Sequence, residues 1–235
     1  MPIPPLRFEK NGDEDRRPLS LTLCRRMGEP QFEKRDEMKQ LQFAVPTLFG
    51  LEGLCAEEMR RLGLSQVQAE NGRVLCTGSP ADLTRLNLNL RTGERVLLVM
   101  GSFPADDFDA LFEGTKALPW EEFIPREGQF PVKGHSLNSA LHSVPACQSI
   151  VKKAIAARLG GKYHLNTLPE TGALCQVQFS IMGDIATLML DTSGAGLHKR
   201  GYRAQGVAAP LRETLAAGMV LLSRYKGRDP LCDPF

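Results

Sequence analysis

The order of predicted elements from Phe43 onward constrains the fold more than any other feature of this sequence. A strand pattern and an amphipathic helix come first, and two further strand patterns flank residues 71–72, an Asn-Gly pair that favours a type I′ hairpin turn. Residues 79–80 (Ser-Pro) then favour a capped helix start, and residues 94–103 form another apolar strand pattern. The order β-α-β-β-α-β predicts a ferredoxin-like unit, a scaffold that many unrelated functions share.

A second unit, also of mixed helices and strands, follows the first. A serine cap predicts a helix over residues 143–159, which the glycines at 160–161 are expected to end. Apolar and polar residues alternate over 175–181, which predicts a half-buried strand with its partner at 185–190. The chain is therefore predicted to be of the α+β class. An apolar helix predicted over 211–222 has no sheet of its own to cover, and we expect it to be poorly packed or to lie on the second unit.

Three general features limit the class of protein. Residues 1–40 contain five prolines among interleaved charges and no lasting periodicity, which predicts a disordered tail, and Met38 is a candidate translation start. No apolar run reaches the roughly 18 residues of a membrane helix, and no signal-peptide pattern is present, so we expect a cytoplasmic location without membrane contact. No two of the six cysteines form a C-x₂-C pair, which argues against a metal site.

The distribution of charge indicates a polyanionic partner. Residues 43–132 carry 8 basic and 13 acidic side chains, whereas residues 133–203 carry 8 basic and 3 acidic ones together with all four histidines. A basic half beside an acidic half is typical of proteins that hold a nucleic acid with one part of their surface. The alternative interpretation is a solvated surface that has no partner.

One basic stretch combines the three kinds of group that bind phosphate oxygens. Lysine charges, hydroxyl donors and the free amides of a helix start all occur within residues 133–153. Such contacts hold a backbone without reading its sequence, which suits structured RNA or RNA ends. The alternative for the two adjacent lysines is the solvated face of an amphipathic helix. The predicted RNA-binding residues of this stretch are Lys133, His135, Ser139, His142, Ser143, Ser149, Lys152 and Lys153.

A second basic segment covers residues 198–203 and includes one aromatic residue. An arginine beside a tyrosine can neutralise a phosphate and stack on an unpaired base, and no acidic residue occurs between Asp191 and Glu213. The alternative is a solvated linker, which the preceding glycines would suit. The predicted RNA-binding residues of this segment are His198, Lys199, Arg200, Tyr202 and Arg203.

The sequence contains none of the usual catalytic signatures. It has no nucleophile elbow, P-loop, zinc-protease or dinucleotide-binding glycine motif, so no catalytic residue is predicted. Asp106, Asp107 and Asp109 lack the glycine and the terminal glutamate of a calcium loop. We interpret this acidic group as a capped, solvated helix start, and no metal is expected.

Several segments occur in the order known from one family of RNA-modifying enzymes. These segments are Phe43–Glu52, Phe108–Gly114, Trp120–Pro125, Lys133–Ile155, Leu190–Arg203 and Ala209–Ala217. On these segments, from residue 41 to its end, the chain resembles the THUMP-domain class I S-adenosylmethionine-dependent RNA methyltransferases, in the group that modifies guanine N2 of large-subunit ribosomal RNA.

This resemblance implies a domain order and a set of partners. A ferredoxin-like domain is expected at 41–104, a THUMP RNA-binding domain at 105–192, a basic linker at 193–208, and the start of a Rossmann-like methyltransferase domain at 209–235. Ribosomal RNA is the implied partner, and S-adenosylmethionine is the cofactor of the full-length family. The residues that the resemblance assigns to the cofactor are Pro210, Asp233, Pro234 and Phe235.

One departure from the family limits what we expect of this chain. The family continues from an Asp-Pro-Phe sequence into a glycine-rich turn that holds the cofactor, whereas this sequence ends at Phe235. We therefore expect the chain alone to bind no S-adenosylmethionine, to transfer no methyl group, and to be the RNA-recognition half of a methyltransferase. The alternative is a stand-alone adaptor that delivers RNA to a separate enzyme.

Overall fold

Residues 40–201, 210–228 and 230–232 are described by this structure, a computed structural model. The predicted tail up to residue 39, with Met38, lies outside the described residues, as does most of the predicted linker. The α-helices are α1 (Glu52–Arg61), α2 (Pro80–Asn89), α3 (Phe108–Ala117), α4 (Val144–Tyr163) and α5 (Glu213–Leu222), and 3₁₀ turns cover Trp120–Glu122 and Leu197–Lys199. The strands are β1 (Leu41–Pro46), β2 (Ser65–Glu70), β3 (Arg73–Gly78), β4 (Leu97–Pro104), β5 (Val132–Leu137), β6 (Val177–Met182) and β7 (Ile185–Asp191).

All of these strands join one mixed sheet in the order β2-β3-β1-β4-β7-β6-β5. Strands β1 to β4 with α1 and α2 form the ferredoxin-like unit that the sequence predicted. Strand β4 pairs antiparallel with β1 on one side and with β7 on the other, so the sheet continues into the second unit. Strand β5 pairs parallel with β6 and forms one edge of the sheet.

The two faces of the sheet differ in what covers them. On one face, residues such as Phe43, Leu98 and Phe179 share a single buried core with the inner faces of α1 to α4. On the other face, Ala44, Leu97 and a methionine of β7 form only a small separate cluster. This second face carries no α-helix of the described chain, so the outward-pointing residues of β5 lie on a helix-free surface.

Three local predictions can be compared with the structure. Ser79 caps α2 as expected, because its hydroxyl accepts from the amide of Asp82 while the Asp82 carboxylate accepts from the Ser79 amide. The prediction of a type I′ turn at residues 71–72 is wrong. Gly72 has a φ of 73°, but Asn71 is not among the described residues with positive φ, and a type I′ turn needs both.

The predicted end of the helix that begins after Ser143 is also wrong. Helix α4 continues through Gly160 and Gly161 to Tyr163. Each helical glycine costs about 1 kcal/mol relative to alanine. Tertiary contacts offset that cost, since Leu159 is buried and the Tyr163 hydroxyl donates to the Ile124 carbonyl over 2.7 Å.

Helix α5 does not lie on the second unit as predicted. It packs on the ferredoxin-like unit, where the α-carbon of Gly218 faces Leu51 so closely that a β-carbon would come within 2.8 Å of that side chain. The Thr214 hydroxyl donates to the Glu94 carboxylate, and Thr214 is buried. The other face of the helix, with Met219 and Leu222, is exposed.

An ion pair between α4 and the preceding 3₁₀ turn gives the fold a predicted pH dependence. Arg158 donates from Nε and Nη2 to the two carboxylate oxygens of Glu121 at 3.0 and 2.7 Å. These hydrogen bonds lower the pKa of Glu121 from its usual 4.5 to about 2. A carboxyl group with a lowered folded pKa stabilises the fold fully above its unfolded pKa, and that contribution disappears as the pH falls through the folded value.

We therefore expect Glu121→Gln to lower the free energy of unfolding by about 1 kcal/mol at pH 7, since the pair is partly solvated. The difference between the two proteins should shrink as the pH falls from about 5 to about 2. Thermal unfolding of the parent protein and the variant across that pH range measures this difference in stability. A difference that stayed constant between pH 7 and pH 3 would contradict the assigned pair.

Candidate nucleic-acid interface

The edge strand β5 presents two of the predicted RNA-binding residues. Lys133 and His135 alternate with core-facing residues, and both are exposed on the helix-free face. His135 Nε2 lies 3.0 Å from the hydroxyl of Ser180 on the neighbouring strand. Gly134 between them lies so close to β6 that a β-carbon would come within 2.3 Å of the Phe179 carbonyl oxygen. The close pairing of β5 and β6 thus fixes where the side chains of Lys133 and His135 point.

The loop after β5 uses one predicted binding residue for its own structure. The Ser139 hydroxyl and the Ala140 amide donate to the Asp184 carboxylate at 2.7 and 2.8 Å, and both bonds lower the pKa of Asp184. Ser139 is therefore a loop-forming residue. His142 is exposed, and its Nδ1 lies 3.0 Å from the Ala140 carbonyl oxygen, which leaves Nε2 facing away from that bond.

The start of α4 offers polar groups without a competing acid. Ser143 precedes the helix but makes no side-chain cap hydrogen bond, contrary to the cap that the sequence predicted. The first turn contains Pro145 and no acidic residue. The amide groups of a helix start carry partial positive charge and favour anions. This end of α4 follows directly from the loop that carries His142.

The body of α4 separates the two adjacent lysines. Lys153 and Ser149 are exposed. Lys152 instead places its Nζ 2.6 Å from Glu170 Oε2 and 4.5 Å from the ring centre of Phe130. The charge of Lys152 is thus used within the protein, whereas Lys153 forms no ion pair with an acid of the described residues.

The segment after β7 divides in the same way. Arg200 donates from its guanidinium to the carbonyls of Asn87 and Leu90 at the end of α2, so it closes that helix end. His198 Nδ1 lies 3.1 Å from Glu94 Oε2, and Lys199 is exposed. The predicted binding residues Tyr202 and Arg203 lie outside the described residues.

The predicted residues therefore form three patches, because the sheet separates Lys133 and His135 from the outer surface of α4. The sheet patch consists of Lys133 and His135, the helix patch of His142, Ser143, Ser149 and Lys153, and the linker patch of Lys199 with the half-buried His198. Ser139, Lys152 and Arg200 were predicted to bind RNA but make contacts inside the protein. The residues next to them in the sequence gave no sign of this, because the acids and carbonyls that they contact lie at least 18 residues away in the chain.

One cationic group was missed by the sequence reasoning. Arg224 and Lys226 follow α5 and lie beside Arg61 of α1 in the same groove. The sequence does contain a signal for this group, because Tyr225 has a basic residue directly before it and another directly after it. Their position beside α1 was not predicted, because α5 was expected to be poorly packed or to lie on the second unit.

The acidic residues near the start of α3 form a helix cap within the described part of the chain. Asp107 caps α3, since its carboxylate accepts from the Ala110 amide at 2.7 Å, as the sequence interpretation held. No metal-binding cluster of histidine, cysteine and acidic residues occurs within 40–201, 210–228 and 230–232. No helix in that part of the chain is long and apolar enough to cross a bilayer.

Only one of the residues assigned to the cofactor is described. Pro210 is exposed beside Leu211, and Asp233, Pro234 and Phe235 lie outside the described residues. The expectation that the chain alone binds no S-adenosylmethionine therefore stays a prediction.

Known domain families match the chain in a defined order. The RlmL ferredoxin-like domain matches residues 42–97, the THUMP domain matches 105–191, and the RMKL-like methyltransferase domain matches 200–235. The chain belongs to the THUMP-domain methyltransferases. In this family context, the sheet and helix patches lie in the THUMP domain, and α5 lies in the methyltransferase domain.

Named relatives agree with this membership. The chain is 45% identical over 201 residues to YpsC of Bacillus subtilis, a candidate RNA methyltransferase, and the match covers 84% of this chain and 52% of YpsC. It is 35% identical over 182 residues to the ribosomal RNA large subunit methyltransferase K/L of Syntrophotalea carbinolica, covering 77% of this chain and 26% of that protein. The chain thus spans about half the length of YpsC and about a quarter of the length of the methyltransferase K/L.

Solved structures show the same fold. A predicted N6-adenine-specific DNA methylase from Listeria monocytogenes matches with a TM-score of 0.76 and 49% identity, over 80% of this chain and 49% of that one. SMU.472, a methyltransferase candidate crystallised with SAH, matches with a TM-score of 0.76 and 40% identity, over 81% of this chain and 51% of that one.

Proposed function

We propose that this chain recognises RNA for a S-adenosylmethionine-dependent methyltransferase of the THUMP-domain family. The observation that carries the proposal is a THUMP domain whose free cations, Lys133 and Lys153, are exposed on its surface. Cofactor binding and methyl transfer are assigned to the methyltransferase domain, of which residues 200–235 match a part.

The proposed substrate is large-subunit ribosomal RNA, with guanine N2 as the methyl acceptor. Relatives named as ribosomal RNA large subunit methyltransferases support this choice, at 30 to 35% identity. The work of the described residues is binding and orientation. Lysine charges neutralise phosphates, and hydroxyl and amide groups at the start of α4 donate to phosphate oxygens. These groups read the shape of the RNA, so its sequence would be recognised elsewhere. We propose a cytoplasmic location, which a ribosomal RNA substrate would support.

Binding to a structured RNA should weaken steeply as salt rises, because each neutralised phosphate releases counterions. The double variant Lys133→Gln, Lys153→Gln should reduce the slope of log affinity against log salt by about 1.4 to 1.8, or about 0.7 to 0.9 per lost cation. Filter-binding titrations between 50 and 200 mM salt, the range in which phosphate contacts dominate, measure both effects.

The matched control is Arg85→Gln, which removes one cation from α2, outside all three patches. Arg85 is paired with Asp82 at 3.0 Å, so its loss should leave the salt slope unchanged. Absent or salt-independent RNA binding by the parent protein would refute the proposed function. An equal change of slope in the control would show that net charge, and no patch, determines binding.

A further inference from the structure

A groove of about 370 Å³ lies between α1 and the segment that follows α5. One wall comes from the ferredoxin-like unit, and the other comes from the methyltransferase part of the chain. The residues that line it are Leu54, Glu57, Glu58, Arg61, Arg91, Leu221, Arg224, Tyr225 and Lys226. Four of these nine side chains are cationic and two are acidic.

Both carboxylates in the groove are already engaged. Glu57 pairs with Arg61 one turn along α1. Glu58 is nearly buried, and its Oε1 lies 2.6 Å from Arg91 Nε. These pairs leave Arg224 and Lys226 as uncompensated charges, and neither forms an ion pair with an acid of the described residues. The groove therefore carries a net positive charge.

The backbone brings these two cations to α1. Arg224 has a φ of 57°, in the left-handed region that most side chains avoid. That conformation turns the chain directly after α5, so that residues 224–226 return along the groove. The burial of Gly218 against Leu51 holds α5 in place above this turn. The packing of α5 thus determines where the segment with the two cations begins.

We infer that this groove is a second phosphate-binding site for the RNA backbone, built jointly by the ferredoxin-like and methyltransferase parts. The inference rests on the proposed RNA-binding function. Arginine and lysine beside a tyrosine are the groups that hold a ribose-phosphate chain, through charge, forked donors and contact with a base. An RNA that occupies both the THUMP patches and this groove would be held across the domain boundary, which orients the catalytic part relative to its substrate.

The test compares two double variants of the whole chain. Arg224→Gln with Lys226→Gln removes both charges, whereas Arg224→Lys with Lys226→Arg exchanges the side chains and keeps the charges. The salt slope of RNA binding should fall by about 1.4 to 1.8 in the first variant and stay at the parental value in the second. Both positions are exposed, so the midpoint of thermal unfolding should not change in either protein.

The outcomes separate this inference from the proposed function. If the parent protein binds RNA with the lysine-dependent slope described above, but the charge-removing variant has the parental slope, the groove is not a binding site. If the parent binds no RNA, both ideas fail together. Equally tight binding of poly-glutamate of matched length would overturn the choice of RNA as the occupant.

Photo-crosslinking gives a readout that does not depend on mutant stability. RNA that contains 4-thiouridine should crosslink to a peptide that spans Tyr225, and mass spectrometry identifies that peptide. Crosslinks confined to residues 133–153 would overturn the inference and leave the proposed function standing.

Discussion

Replacement of Trp120 by alanine is expected to lower the free energy of unfolding by about 3–5 kcal/mol, the usual range for removing a buried large aromatic residue. Trp120 is fully buried and is among the largest buried side chains of the described chain. Its indole Nε1 donates to the Thr115 carbonyl at the end of α3 over 2.8 Å. The substitution would open a cavity beside α3 and leave that carbonyl with only the longer, 3.3 Å bond from the Leu118 amide.

Chemical denaturation of the two proteins measures this loss, which is a large share of the roughly 5–15 kcal/mol typical of a whole domain. Trp120→Phe is the control, because it keeps a six-membered ring in the core and removes the donor with the rest of the indole. We expect it to cost about 1–2 kcal/mol. A loss below about 1 kcal/mol for the alanine variant would mean that the surrounding core collapses into the space or that Trp120 is not buried.

Glu58→Gln is expected to cost about 2–4 kcal/mol, because its carboxylate organises the loop after α2. The Arg91 amide and Nε donate to it at 3.1 and 2.6 Å, and the Thr92 amide and hydroxyl donate at 3.2 and 3.0 Å. Glutamine has the same shape but offers one acceptor oxygen. Its amide nitrogen would face a donor, and the ion pair between the buried Glu58 and the exposed Arg91 would lose its acid.

The neighbouring residue provides the control for this prediction. Glu57→Gln makes the same chemical change one position earlier, where the side chain is 55% exposed and pairs with Arg61 on the solvated surface of α1. Exposed pairs of this kind contribute about 0–1 kcal/mol. Denaturant unfolding of the two variants should therefore separate them by at least about 1 kcal/mol. Equal losses would show that the four donors do not depend on Glu58.

The two substitutions also differ in their expected effect on the inferred groove. Glu57→Gln removes an acid beside Arg61, so it should leave the groove more positive and RNA binding at low salt slightly tighter. Glu58→Gln should disturb Arg91 through the loop, and its effect on binding cannot be read separately from its effect on stability. Glu57→Gln is therefore the more informative of the two for binding.

Much of the local structure was determined by the sequence. The cap formed by Ser79 and Asp82, the half-buried strand after residue 175 and the α+β class follow from interactions between residues near one another in the chain. The family resemblance likewise depended on short motifs in a fixed order, and the matched domains confirmed it. Local hydrogen bonding and side-chain periodicity are visible in the sequence, which is why these predictions held.

Only the tertiary structure decided which cations remain free. Lys152 and Lys153 are indistinguishable in the sequence, but only Lys152 meets Glu170, 18 residues away. Arg200 is taken up by the end of α2, more than 100 residues earlier in the chain. The same holds for α5, whose contact with Leu51 depends on how distant segments pack. Charge and apolarity are properties of single residues, whereas the availability of a charge depends on long-range packing that no local pattern records.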